Sequence, residues 1–330
     1  MSVSFHIGVL PGRPVSEVAQ LVARAEELGF DGAWIADSQS IFRDGFAALT
    51  ASALETERVT LAPGVTNPVT RHPAVLAGAM ATLQETSGGR AVLGIGVGES
   101  STATAGIKPA KLARMREVAE AVRALTRGDT VELDGAELHM PWASEEVPVY
   151  VASSGPRSLR MSGEYADGVL FQVGSAPAAV EYAMENVDLG LADAGRKRSD
   201  VKLYSRLASS IAEDREWARR QVHAYASVAA GTVFTSLPSE VVDDGVAEDI
   251  ARMKEAYDYF EHGSKDAKHA ELITDRIVDA ISISGTAEEA VPRYRELVEL
   301  GVEGFVIPVV SEDPDASMRA LAEGVMPHFK

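Results

Sequence analysis

Short, continuous apolar runs alternate with longer amphipathic ones along most of the chain. The runs read as strands over Phe5–Leu10, Ala33–Asp37, Val59–Val65, Ala91–Val97, Val147–Ser153, Gly168–Val173, Val201–Ile211 and Phe305–Val310. Most are apolar throughout, the pattern of parallel strands covered on both faces. Between them lie helix patterns such as "SEVAQLVARAEELG", where Val18, Leu21, Val22, Ala25 and Leu28 form one stripe, with Ser16 as its expected N-cap and Gly29 just past its end. The stretches "EELGFDGAWIAD", "GEYADGVLFQ" and "VELGVEGFVIP" each end a helix, turn on an acidic residue and glycine, and enter a buried strand. Such joints belong to a strand–helix repeat. Eight strands, each followed by helix, predict a (β/α)8 TIM barrel over residues 1–330 as one domain, with a doubly wound sheet as the alternative. Two segments break the rhythm. Residues 129–140 read as a β-hairpin turning at Asp134–Gly135. Residues from about 231 to 280 read as a helical insertion, either beside the mouth of the barrel or as a solvated excursion or subunit contact.

Composition narrows the function. The chain has 330 residues, 46% of them hydrophobic and 24% charged, which is ordinary for a soluble globular protein. It has no cysteine, so disulfides, thiolate nucleophiles and cysteine–zinc sites are excluded. The seven histidines form no metal-ligand spacing, so no metal is expected. A net charge of −18 argues against nucleic acid or an anionic membrane as partner. No run has the roughly 18 apolar residues of a membrane span, and "MSVSFHIGVL" lacks a signal-peptide pattern. The expectation is a cytoplasmic protein acting on a small molecule.

A barrel carries its site at the C-terminal ends of the strands, and that rule picks the candidates. "WIADS" puts Asp37 at the mouth, and "GIGVGES" puts Glu99 there with Gly96 and Gly98 before it. The two carboxylates suit proton relay or hydrogen bonding, with a helix-capping role as the plainer alternative. Glycine-rich strand ends let a flat ligand lie against bare backbone. "GIGVGES" fails as a dinucleotide fingerprint, because Glu99 stands where the third glycine belongs. In "SSGPRS", Ser153, Ser154, Gly155 and Pro156 open a helix whose free N–H groups suit a phosphate, or else form an ordinary serine-capped start. Val173 and Gly174 end the next strand, beside Ser175, as a second donor loop. The joint "PGVTNPVTRHP", residues 63–73, is unusually stiff for a strand-to-helix loop and contains Gly64, Val65 and Asn67. His6 reads as an interior histidine and His72 as a loop-fixing one.

Three blocks in order carry a resemblance: "GVTNPVTRHPAVLAGAMATLQETSGGRAVLGIGVGES", "SSGPRSLRMSGEYADGVLFQ" and "SGTAEEAVPRYRELVELGVEGFV". They resemble the luciferase-like flavin-dependent superfamily, in its branch of methylenetetrahydromethanopterin reductases and their relatives. The resemblance implies an eightfold barrel with an insertion before strand eight, and commonly a homodimer. It implies a deazaflavin (coenzyme F-420) or FMN at the mouth, touched by Gly64, Val65, Asn67, Gly96, Gly98, Ser153, Ser154, Gly155, Pro156, Val173 and Gly174. It further implies a non-prolyl cis peptide at Gly64–Val65, whose bulge backs the ring. Asp37 and Glu99 are then the candidate catalytic residues. Where the reductases carry a first-strand glutamate this chain has Gly8, and their Asp-His pair is Asp37-Ser38 here. The resemblance therefore reaches the cofactor site and stops short of the methanopterin substrate. The implied activity is hydride transfer between the deazaflavin and a small organic substrate. The alternatives are an FMN-dependent two-component monooxygenase and a non-catalytic flavin-binding protein on the same barrel.

Overall fold

A computed structural model describes residues 3–223, 225–226, 237–255 and 272–330. Eight parallel strands form the barrel: β1 (Ser4–Val9), β2 (Gly32–Ile35), β3 (Thr60–Pro63), β4 (Leu93–Ile95), β7 (Val149–Ser153), β8 (Gly168–Phe171), β9 (Lys202–Arg206) and β12 (Gly304–Pro308). Their ladder runs β3-β2-β1-β12-β9-β8-β7-β4, and the bridges Leu61↔Ala91 and Thr66↔Ile95 join its two ends. The barrel is thus chain-ordered, as the sequence pattern predicts, and the doubly wound sheet is excluded.

Strand alternation splits the core in two. Ala33, Leu61, Val169 and Phe305 face outward, into the large cluster shared with the helices. Their neighbours Trp34, Ala62, Leu170 and Val306 face inward and pack with Val92, Val65, Tyr150 and Tyr204. His6 joins this interior: the Trp34 indole donates to its Nδ1 at 3.2 Å, and burial pushes its pKa down to about 3. A neutral interior histidine is the result, bonded through Nδ1 while its Nε2 is buried without a partner.

The outer helices that matter for the site are α1 (Val15–Glu27), α2 (Gly45–Leu54), α3 (Pro73–Ser87), the short α4 (Ser100–Ala103), α5 (Leu112–Arg127), α6 (Pro156–Tyr165), α7 (Pro177–Asp193) and α8 (Arg215–Gln221). Helix α1 starts one residue earlier than its expected cap: Pro14 holds the cap position, without a side-chain bond, and Ser16 lies inside the helix. Proline's fixed φ already sets the entry, so no serine cap is needed.

The hairpin forms between β5 (Val131–Leu133) and β6 (Ala136–Leu138), with Asp134 and Gly135 both at positive φ. One strand expectation is corrected. The run Val201–Ile211 is two strands: β9 stays in the barrel, while β10 (Ala208–Ile211) leaves it and pairs in parallel with β11 (Ser282–Gly285). The break was hidden because no glycine, proline or other turn signal stands between Arg206 and Ala208. Of the insertion read at about 231–280, residues 231–236 and 256–271 lie outside the described residues. The helices Asp244–Glu255 and Asp275–Ile281 lie within them.

Candidate functional site

The C-terminal ends of the strands enclose a cleft of about 290 Å³. Its wall begins with bare backbone. Leaving β3, the chain passes through Gly64–Val65, whose peptide bond is cis. A Cβ on Gly64 would sit 2.8 Å from the Trp34 Cβ, so only glycine lets the chain turn this close to β2. Leaving β4, Gly98 adopts φ +85, a left-handed conformation that L side chains rarely take. Gly64, Val65, Gly96, Gly98 and Glu99 all line the cleft.

Side-chain bonds lock the loops after β2, β3 and β4 to one another. The Ser38 and Ser100 hydroxyls meet at 2.9 Å, and the Gln39 amide donates to the Ser101 carbonyl at 3.0 Å. Asn67 is buried and turned back into its own loop: its Oδ1 accepts from the Val69 and Thr70 N–H groups, and its Nδ2 donates to Ser101 Oγ at 3.0 Å. His72 caps α3 by accepting from the Ala74 N–H. The stiffness of residues 63–73 thus comes from both proline and these side-chain bonds.

Asp37 is the electrostatic centre of this wall. Its side chain is fully buried, and its Oδ2 accepts from the Thr66 hydroxyl at 2.7 Å and from the Arg71 guanidinium. Arg71 reaches on to Asp44 at 2.8 Å and lies over the Phe46 ring. Burial works against the Arg71 charge, but Asp37 and Asp44 outweigh it and hold its pKa above the ordinary value. The other carboxylate oxygen, Asp37 Oδ1, is buried without a hydrogen-bond partner. An unsatisfied oxygen on a buried charge is costly unless something else bonds it, and Asp37 lines the cleft. Glu99 occupies the cap position of α4 without a side-chain cap bond.

Across the mouth, α6 begins at Gly155 with no side-chain cap and with Pro156 in its first turn. The first-turn N–H groups of such a helix have no partner within it. Ser154 and Gly155 line the cleft. Ser153 also lines it, but its hydroxyl is engaged with Ser162 Oγ at 2.8 Å inside α6.

Four of the expected residues do not line the cleft: Asn67, Pro156, Val173 and Gly174. The second donor loop makes its contacts elsewhere. Val173 is buried in the core, and Ser175 bonds the Asp279 and Ser282 carbonyls at 3.1 and 3.0 Å. A Cβ on Gly174 would meet the Ala280 carbonyl at 2.4 Å. This loop docks the helix Asp275–Ile281, a contact over a hundred residues away in sequence.

Sequence reasoning missed the opposite side of the cleft, formed by Gln172, Arg206 and Tyr225. It also missed Arg71, although "TRHP" stood within the quoted joint; nothing local says that this arginine pairs with a strand-two carboxylate.

Fold and cleft place the chain among (β/α)8 barrels with a site at the strand C-terminal ends. It belongs to the luciferase-like family: the model described as "Luciferase-like monooxygenase" matches residues 1–304. It is 36% identical to a 5,10-methylenetetrahydromethanopterin reductase of Archaeoglobus fulgidus, with 99% of each chain covered. It is 28% identical to an F420-dependent glucose-6-phosphate dehydrogenase of Microbacterium testaceum, over 96% of this chain and 94% of the relative. The solved coenzyme F420 dependent tetrahydromethanopterin reductase from Methanopyrus kandleri superposes with a TM-score of 0.86 at 26% identity, covering both chains fully.

Proposed function

We propose that the protein is an oxidoreductase that moves a hydride between coenzyme F-420 and a small organic substrate. The observation that carries this reading is the cleft itself. A wall of side-chain-poor backbone at Gly64, Val65, Gly96 and Gly98 lines the cleft beside a buried carboxylate with one unpartnered oxygen. The residues fit a flat ring with an N–H edge and a phosphate. When bound, the deazaflavin supplies the carbon that accepts or releases the hydride. Asp37 Oδ1 would accept from the ring edge, and Arg71 with Thr66 would hold that carboxylate in place through its Oδ2. The first-turn N–H groups of α6, with Ser154, would hold the phosphate. Glu99, beside the glycines, would relay a proton. Its relatives' named use of F420 supports the deazaflavin over FMN.

Titrating the protein with coenzyme F-420 and with FMN, read by quenching of tryptophan fluorescence, tests the proposal. F-420 is expected to bind at least about tenfold tighter, about 1.4 kcal/mol. Tighter FMN binding, with oxygen uptake by the reduced complex, would instead make the protein a two-component monooxygenase.

A homodimer formed through α2 and α3 belongs to the same reading. Helix α2, "GFAALTASAL", has no charged side chain and α3 has only Glu85, although both lie on the outside of the barrel. Leu54 and Val75, 73% and 60% exposed, stand on these helices. Outer helices of a lone barrel present a polar face to water, so this pair suits a second copy of itself. Sedimentation should give twice the chain mass of 35.0 kDa, and Leu54→Glu with Val75→Glu should give the single mass. A wild-type monomer would remove the interface. Among the described residues no helix is long and apolar enough to cross a membrane. A cytoplasmic location completes the proposal.

A further inference from the structure

We propose that Arg206 and Tyr225 form an oxyanion subsite, and that the substrate therefore carries a carboxylate or phosphate group. This rests on the hydride-transfer reading above and names the class of substrate it acts on.

The position comes from the ladder. In barrel order β9 lies four strands from β3, so Arg206, the last residue of β9, stands opposite the Gly64–Val65 bulge. A ring backed by that bulge would turn its open face toward Arg206. A group bonded there belongs to whatever approaches the open face. The N-terminus of α6, by contrast, opens from β7, two strands away from β9.

The chemistry comes from three facts. Arg206 is the cationic side chain among the cleft-lining residues, and among the described residues no carboxylate pairs with it. The cleft's other arginine neighbour, Arg71, is already held by Asp37 and Asp44. A guanidinium left facing an acidic cleft on a chain of net charge −18 selects an anion that offers planar acceptors. Tyr225 is an independent sign of a ligand. It is 1% exposed and lines the same cleft, and its hydroxyl is buried with no hydrogen-bond partner. The Arg206 guanidinium lies over its ring, 5.7 Å from the centroid. Burial pushes the Tyr225 hydroxyl upward while Arg206 pulls the other way, so at neutral pH it keeps its proton and donates. Two donors of different kinds thus line the same side of the cleft, and the buried hydroxyl proton has no acceptor among the described residues. Gln172 completes the wall.

The test compares charged and neutral members of two pairs, lactate with 2-propanol and glucose 6-phosphate with glucose, together with inorganic phosphate. Binding is measured calorimetrically on the protein with and without F-420, and F-420 affinity is measured for every variant. The acid of at least one pair should bind at least about tenfold tighter than its neutral partner, the scale of a charged hydrogen-bond pair. Whichever pair responds identifies carboxylate or phosphate as the group. Arg206→Gln should abolish the preference, Arg206→Lys should restore most of it, and Tyr225→Phe should reduce it about threefold to tenfold. All three should keep wild-type F-420 affinity and melting temperature. No preference for either acid, no binding of any anionic probe, or a preference that survives Arg206→Gln overturns the subsite. If F-420 fails to bind while the anion preference persists, the hydride-transfer reading fails and the subsite stands.

Discussion

Replacing Asp37 by asparagine is expected to lower turnover by about 10–100-fold, the loss of one charged hydrogen bond of about 1.5–3 kcal/mol. The amide keeps the shape of the carboxylate but removes its charge, and Arg71 keeps Asp44 as a partner. The fold should therefore survive with a modest fall in melting temperature. Alanine is a poorer probe: it strips a buried ion pair of one member, and that costs about 3–5 kcal/mol of stability by itself. Rates of hydride transfer set beside melting temperatures separate the two effects. Full activity in Asp37→Asn would reduce Asp37 to a brace for Arg71 and Thr66.

Gly155→Asp should act in the opposite way on stability and on binding. Gly155 caps α6 with φ −88 and ψ 159, a conformation any residue adopts, and its helix has no side-chain cap. Aspartate is a favoured N-cap, so the variant should melt no lower than the parent. The same carboxylate would take the first-turn N–H groups for itself and place a negative charge where a phosphate is to bind. Coenzyme affinity should fall at least about tenfold, or 1.4 kcal/mol. Retained affinity in a variant that melts as high as the parent would move the phosphate away from α6.

Much of this site could be read from the chain because its residues follow strand ends. Asp37, Gly64, Gly96, Glu99 and Gly155 come within four residues of their strands, and in a parallel barrel that alone carries them to one mouth. Val173 and Gly174 obey the same rule but do not line the cleft. Their strand end is covered by the helix Asp275–Ile281, brought there by chain a hundred residues downstream. Arg71 and Tyr225 escaped for a related reason. Each owes its role to a partner on another element, and neither lies at the end of a strand. Arg206 did end a strand, but the break after it lay inside one continuous run with no turn signal, so its place at the mouth was lost. Local pattern finds what the backbone delivers; it does not find what long side chains reach.

The most direct measurement is a crystal structure of the protein with coenzyme F-420. The account predicts the ring resting on the Gly64–Val65 bulge, an N–H of its edge bonded to Asp37 Oδ1, the phosphate at the first turn of α6, and the open face toward Arg206. A ring bound elsewhere, or one that leaves Asp37 Oδ1 without a partner, would contradict it.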